Sequence, residues 1–358
     1  MVVARDTLRL KSMIVGSPEK ALLAGSENLY MARGCDLCFP GLKAVIFITG
    51  ICDDSCFYCP VSRSKLGSDV FYVNEVRVYS VDEAVAEVAR VGAEGASFTG
   101  GDPLIAAERT LKLARALKES FGPGFHIHLY TSGRRATPGL LKSLWEAGVD
   151  EIRFHPTSLE LLDRISMARE YTGMSVGVEI PVAPGMEEWA IKVISEAERR
   201  GAEFVNLNEM EIVEPNARAL MARGYREDPV RPFTVKGSLK AALKVLEWAS
   251  RNSGIPVHFC PASFKDRLQT GNRLRNTAWR DAYWYEEPTQ DGTVVWGELR
   301  SSSAPPGLGV ECRPRTLCLP PDPTLLLTLA SMYGGEAYIV EAHPTPDRMP
   351  VVREEKIE

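Results

Sequence analysis

The chain has no long apolar run, no excess of positive charge and no repeated or low-complexity tract, and each shortage removes a class of function. No stretch approaches the roughly twenty apolar residues a membrane span requires. The opening MVVARDTLRLKSM has neither an apolar run nor a small-residue cleavage site, so no secretory signal is expected and the reading is cytoplasmic. A net charge of −5 over 358 residues excludes a uniformly basic nucleic-acid binder and leaves only local basic patches. The 45% apolar and 25% charged content is that of a globular protein with a substantial core.

Cysteine, by contrast, is concentrated. The chain holds 8 cysteines, and five of them lie between residues 35 and 59. A cytosolic chain keeps its thiols reduced, so metal binding explains them better than disulfides. The disulfide reading stays open for a hyperthermophilic source, where intracellular bridges occur.

From residue 44 strand-like and helix-like segments alternate. AVIFITG (44–50) is a continuous apolar, β-branched run, as in a strand covered on both faces. Further strands are expected at 96–101, 125–133, 151–155, 174–182, 204–213 and 256–260, and helices at 107–120, 187–200 and 236–251. Ser80 with Glu83 and Thr157 with Glu160 read as helix caps, and Thr137-Pro138 as a cap with first-turn proline. Six or seven β/α units predict an α/β fold, a parallel sheet curled into a full or partial barrel. The active site of such a barrel lies at the carboxyl ends of its strands. Three regions are expected: an extension with C-x₂-C at 1–43, the barrel at 44–260, and a smaller accessory region at 261–358. Asp291-Gly292 reads as a hairpin turn in the last of these.

The cysteines admit two groupings. Cys35, Cys38, Cys56 and Cys59 fit C-x₂-C-x₁₇-C-x₂-C, the spacing of a structural zinc site. That grouping strands Cys52 and puts a barrel strand between the two pairs. Cys52, Cys56 and Cys59 instead form C-x₃-C-x₂-C on one loop after the first strand. Three thiolates there can hold three irons of a [4Fe–4S] cluster and leave the fourth open, the condition of a catalytic metal.

This loop, with Tyr58 just before its last cysteine, resembles the signature of the radical SAM enzymes. So do Gly100-Gly101-Asp102-Pro103 at the next strand end, Thr131-Ser132-Gly133 after the third strand and Pro184-Gly185 after the fifth. The likeness spans residues 40–215 and is greatest to archaeal radical SAM proteins related to the pyruvate formate-lyase activating enzyme.

The resemblance implies a partial (β/α)₆ TIM-like barrel and a metal-binding Cys52/Cys56/Cys59 set. Its open iron would chelate S-adenosylmethionine, with Gly100–Pro103 holding the ammonium group and a 5′-deoxyadenosyl radical abstracting a substrate hydrogen. Tyr58, Thr131, Ser132, His155, Glu179 and Asn208 are the further cofactor-binding candidates, with Asn206 beside them; a satisfied core polar group is the alternative at each weaker position. His126 and His128 read as hydrogen-bonded structure. A reductant such as ferredoxin or flavodoxin would supply the electron.

Cys35, Cys38 and Cys260 are candidates for a second site, an additional [4Fe–4S] cluster or zinc, with Cys312 or Cys318 completing it. Residues 264–287 interleave Lys265, Arg267, Arg273, Arg275 and Arg280 with Trp279, Tyr283, Trp284 and Tyr285. Such a stretch suits a phosphate-bearing substrate or a flipped base, although a solvated helix face is the commoner reading. The expected substrate is a tRNA base or a small molecule. A glycyl-radical activase ranks lower, because the accessory region has no evident task there. The alternative from another class is a zinc-stabilised nucleic-acid-binding protein without catalysis.

Overall fold

The computed structural model describes residues 32–304 and 307–358. The expected extension at 1–31 lies outside them. Seven parallel strands form the main sheet: β1 (Lys43–Thr49), β4 (Gly95–Gly100), β5 (His126–Thr131), β6 (Glu151–Phe154), β7 (Ser175–Val182), β8 (Phe204–Glu209) and β9 (Val257–Cys260). They follow one another in chain order, each paired in parallel with the next. The short antiparallel strands β2 (Phe71–Val73) and β3 (Val76–Val78) extend the β1 edge. The ordered path runs from β3 to β9 without closing, so the barrel is partial.

Helices cover the outer face because their apolar stripes have nowhere else to go. Val88 of the helix Val81–Val91, Leu113 and Leu117 of Ala107–Phe121, Leu141 and Leu144 of Pro138–Glu146, and Val193 of Glu187–Arg199 are all fully buried with the strand residues. Two starts are as expected: Ser80 Oγ accepts from Glu83 N at 3.1 Å and Thr137 Oγ1 from Leu140 N at 3.2 Å. The third cap does not form. Thr157 Oγ1 donates instead to Asp54 at 3.0 Å, and Ser158 precedes a single 3₁₀ turn.

A six-residue helix, Arg33–Cys38, lies inside the barrel mouth at the amino ends of the strands. Gly34 permits this approach: a Cβ there would stand 2.5 Å from His128 Nδ1 and 2.8 Å from Arg153 Nη2. The segment following β9 meets the residue after this helix, with the Phe264 and Phe39 rings 5.3 Å apart.

The accessory region is an antiparallel sheet of six strands: β10 (Glu287–Pro288), β11 (Val294–Arg300), β12 (Val310–Arg313), β13 (Thr316–Leu319), β14 (Glu336–Ala342) and β15 (Val351–Ile357). Gly292, at φ +85°, turns the chain between β10 and β11 where Asp291-Gly292 was expected to. Cys312 and Cys318 form a disulfide within this sheet, which removes both from any metal site. The sheet is joined to the barrel by the helix Gly271–Asp281, whose Arg273 takes Glu75 through two bonds of 2.7 and 2.6 Å. Two basic residues of the stretch at 264–287, Arg273 and Lys265, are committed to carboxylates. Trp279 and Trp284 are left exposed on its outer side.

Candidate active site

Cys52, Cys56 and Cys59 lie on the loop that leaves β1, and all three carry free thiols facing one cavity of about 600 Å³. The loop is fastened between its first two cysteines. Arg134 Nε donates to Asp54 Oδ1 at 2.7 Å, and Arg135 takes Asp53 through bonds of 2.6 and 3.1 Å. Burial pushes the Cys52 and Cys56 thiols above their ordinary values.

The Gly100-Gly101 pair is steric in origin. A Cβ on Gly101 would stand 2.1 Å from the Ile51 carbonyl oxygen, and one on Gly100 2.3 Å from that of Thr49. Only glycine lets the end of β4 lie against the root of the cysteine loop, where Gly101 N donates to Thr49 O at 2.7 Å. Gly100 and Gly101 border the cavity as expected, while Pro103 does not. Its carbonyl accepts from Thr110 Oγ1 at 2.8 Å on the helix side.

Asp102 borders the same cavity and is also held from within the fold. It is 3% exposed, and its oxygens accept from Leu104 N, Thr131 Oγ1, Ser132 N and Ser132 Oγ at 2.9–3.1 Å. The carboxylate thus ties the ends of β4 and β5 together and positions Thr131 and Ser132 on the cavity wall. Burial raises its pKa against the lowering effect of those donors. Asp102→Ala is expected to lose about 1.5–3 kcal/mol of folding stability, measurable by urea denaturation, with Asp102→Asn retaining part of it. An unchanged midpoint in Asp102→Ala would remove this role.

On the opposite wall, Tyr58 and His155 form a fixed pair. His155 Nδ1 lies 2.8 Å from the Glu179 carbonyl oxygen, so that nitrogen donates and Nε2 accepts from the Tyr58 hydroxyl at 2.9 Å. Burial lowers the His155 pKa, consistent with a neutral ring.

Below them Glu179 accepts from Asn208 Nδ2 at 2.8 Å, Asn206 Nδ2 at 3.1 Å and Arg153 Nη1 at 2.9 Å. Burial alone would raise its pKa, but Arg153 and the two amides outweigh it and hold the carboxyl at about 2. A depressed folded pKa stabilises the fold above the unfolded value near 4.5 and loses that contribution as pH falls towards 2. Glu179→Gln is therefore expected to flatten the fall of stability between about pH 4.5 and 2, followed by guanidinium melts across that range. An identical acid limb in both proteins would contradict the assignment.

A second, smaller cavity of about 170 Å³ lies deeper in the barrel and is lined by Cys35, Cys38 and Cys260. The two cavities share Thr99, Tyr130, Glu179, Asn208 and Lys265 as a partition. The four-cysteine zinc grouping is thereby broken up, since Cys56 and Cys59 border one cavity and Cys35 and Cys38 the other. Among the described residues, neither cysteine trio has its sulfurs gathered within 4.8 Å. Ligand sulfurs around one tetrahedral zinc stand ~3.8 Å apart. A cubane cluster binds each thiolate through a separate iron, so more widely spread donors suit it. The rim trio, three free thiols on one pinned loop beside a glycine-lined wall, fits such a cluster.

The chain matches the family model described as Radical SAM superfamily over residues 46–195. It is also 34% identical over 370 residues to a Methanocaldococcus jannaschii protein provisionally named a glycyl-radical enzyme activating enzyme. The match covers 95% of this chain and 96% of that one. The chain belongs to the radical SAM superfamily. Among solved structures it is similar to Streptococcus suis SuiB bound to its precursor peptide SuiA, with 11% identity, a TM-score of 0.47 and coverage of 80% and 71%. Methylornithine synthase is a further likeness, at 14% identity, a TM-score of 0.40 and coverage of 61% and 70%.

As a radical SAM enzyme the chain is expected to use S-adenosylmethionine and a [4Fe–4S] cluster, both implied by the family. No helix among the described residues is long and apolar enough to cross a membrane. Sequence reasoning passed over three residues that shape the radical SAM site, and placed a fourth, Lys265, only in a basic stretch. Tyr130 belongs to the partition, Arg153 holds it from the deeper side, and Asp54 anchors the cysteine loop. Lys265 reaches the cavity from the accessory region, its ammonium 2.8 Å from Glu211. Burial would discharge Lys265, but Glu211 and then Cys260 hold it protonated.

Proposed function

We propose that this radical SAM enzyme activates a partner protein by taking a hydrogen atom from a glycine of that partner's backbone. The observation that carries the reading is the relative named as an activating enzyme, which matches the chain from barrel to accessory sheet. The accessory region had argued against an activase, and that argument lapses once a protein so named shares it. The tRNA or small-molecule substrate has no comparable support, and two of the basic residues in the stretch at 264–287, Lys265 and Arg273, are held by carboxylates.

Within this reading Cys52, Cys56 and Cys59 hold the cluster. A cluster held there, given one electron by an external reductant such as ferredoxin or flavodoxin, would supply the reductive cleavage of the S-adenosylmethionine sulfonium to methionine and a 5′-deoxyadenosyl radical. The chain's own residues bind and orient. Backbone groups of Gly100 and Gly101 offer the cofactor a surface no side chain could share. Ser132 and Thr131, held by Asp102, present fixed polar groups to it, and the neutral Tyr58–His155 pair and Asn208 do so from the far wall. Ile51 and Leu66, both apolar and exposed at the mouth, suit an inserted peptide loop. Hydrogen transfer to the 5′-deoxyadenosyl radical would break a glycine Cα–H bond, form 5′-deoxyadenosine and leave the radical on the partner.

The test uses the reconstituted protein, dithionite and S-adenosylmethionine with peptides carrying α-dideuterated glycine. Deuterium should enter 5′-deoxyadenosine, read by mass spectrometry, and bulk tRNA should not stimulate the reaction. Stimulation by tRNA with no deuterium transfer from any peptide would favour the nucleic-acid substrate instead.

A further inference from the structure

We propose that the deeper cavity is a second iron–sulfur site, ligated by Cys35, Cys38 and Cys260 with His258 as the fourth donor. The proposal stands on this cavity's own residues and is independent of the rim site's substrate.

Cys35 and Cys38 are three residues apart on the helix Arg33–Cys38 and therefore share a face. His258 and Cys260 are two apart on β9 and share the face turned away from the covering helices, with Val257 and Phe259 buried on the other. Two short elements from distant parts of the sequence thus deliver three free thiols and one imidazole to a single 170 Å³ cavity. His258 Nδ1 is buried and has no hydrogen-bond partner, although a buried polar atom normally has one.

The charges around the cavity point the same way. Lys43 lines it, is 3% exposed, and among the described residues has no carboxylate within ion-pairing distance. Its contact is His128 Nε2 at 3.5 Å. A buried ammonium without an anion is costly. Thiolates and the anionic cluster they hold would supply the missing negative charge. Cys35 Sγ already accepts from Arg153 Nη2 at 3.3 Å and Asn206 Nδ2 at 3.5 Å, the kind of donors that stabilise a metal-bound thiolate. Zinc fits less well, because these donor atoms are not gathered within 4.8 Å.

The experiment deletes the rim ligands. Cys52→Ala/Cys56→Ala/Cys59→Ala is reconstituted anaerobically with iron and sulfide and analysed for iron, sulfide and zinc. It should retain about four irons and four sulfides, against about eight of each in the parent protein. Adding Cys35→Ser and Cys260→Ser should remove the remainder. For the imidazole, protein labelled with ¹⁵N-histidine should show nitrogen hyperfine coupling to the reduced cluster. His258→Cys should abolish that coupling while keeping the iron count. A rim-deleted protein that folds, by circular dichroism, but binds no iron overturns the site, as does one zinc in place of iron. Iron at full count without nitrogen coupling overturns His258 as ligand. Release of 5′-deoxyadenosine by the parent is unaffected by either failure, so the rim reading is judged separately.

Discussion

Arg153→Met should cost about 3–5 kcal/mol of folding stability, the largest loss expected from any single substitution away from the cysteines. Arg153 is 2% exposed and sits in the barrel interior between two carboxylates. It donates to Glu151 and Glu179, to the Tyr130 hydroxyl at 3.2 Å and to Cys35 Sγ at 3.3 Å. Its guanidinium also lies 5.4 Å from the Tyr130 ring and 5.3 Å from the Phe204 ring. Methionine fills much of the space but leaves Glu151 and Glu179 buried without a cation. Lysine should not rescue, because one ammonium cannot reproduce a planar fork. The sign of the pH response is specific. Unpaired buried carboxylates have raised folded pKa values, so the variant should regain stability as pH falls from 7 towards 5, where Glu179 in the parent is still ionised. Guanidinium unfolding at the two pH values checks both claims. A variant within 1 kcal/mol of the parent at pH 7, on the scale of an exposed pair, would show that the network contributes little.

Cys59→Ala should abolish 5′-deoxyadenosine release, since two thiolates on the rim loop cannot hold a cluster that needs three. Cys35→Ser touches only the deeper cavity, so dithionite-driven release without partner should survive in it. Chromatographic quantification from the parent and both variants, each shown to be folded by circular dichroism, gives the comparison. A folded Cys35→Ser protein as inactive as Cys59→Ala would mean that the two cysteine groups act as one.

Much of the barrel was legible because its strands are strongly marked. AVIFITG and SVGVEIPV are near-continuous apolar runs bounded by glycine, proline or polar residues, and both are strands within a residue of expectation. The rim site was legible because its ligands crowd one loop and its glycines end the next strand.

What escaped has physical reasons. The helix Arg33–Cys38 is too short for periodicity to reveal, and its place is fixed by Gly34 against His128 rather than by any local signal. Strands β2 and β3 have three residues each, below the length at which alternation can be recognised. Thr157 and Glu160 have the spacing of a cap, yet the threonine found a carboxylate on the cysteine loop instead. Cysteine spacing does not determine partners, so the Cys312–Cys318 bridge was not assigned. Motif position says nothing of the Thr131 and Ser132 donors that enclose Asp102. His258 was overlooked although Val-His-Phe-Cys alternation alone puts it on the face of Cys260.

The central claim is that Cys52, Cys56 and Cys59 hold a cluster whose open iron meets S-adenosylmethionine in the rim cavity. Its most direct test is electron paramagnetic resonance of the dithionite-reduced Cys35→Ser/Cys38→Ser/Cys260→Ser protein, with and without S-adenosylmethionine. The deeper site is then empty, so any signal belongs to the rim. The account predicts one reduced-cluster spectrum that changes on adding S-adenosylmethionine and is absent when Cys59→Ala is introduced. A cluster signal that S-adenosylmethionine leaves unaltered, or that survives loss of Cys59, would contradict it.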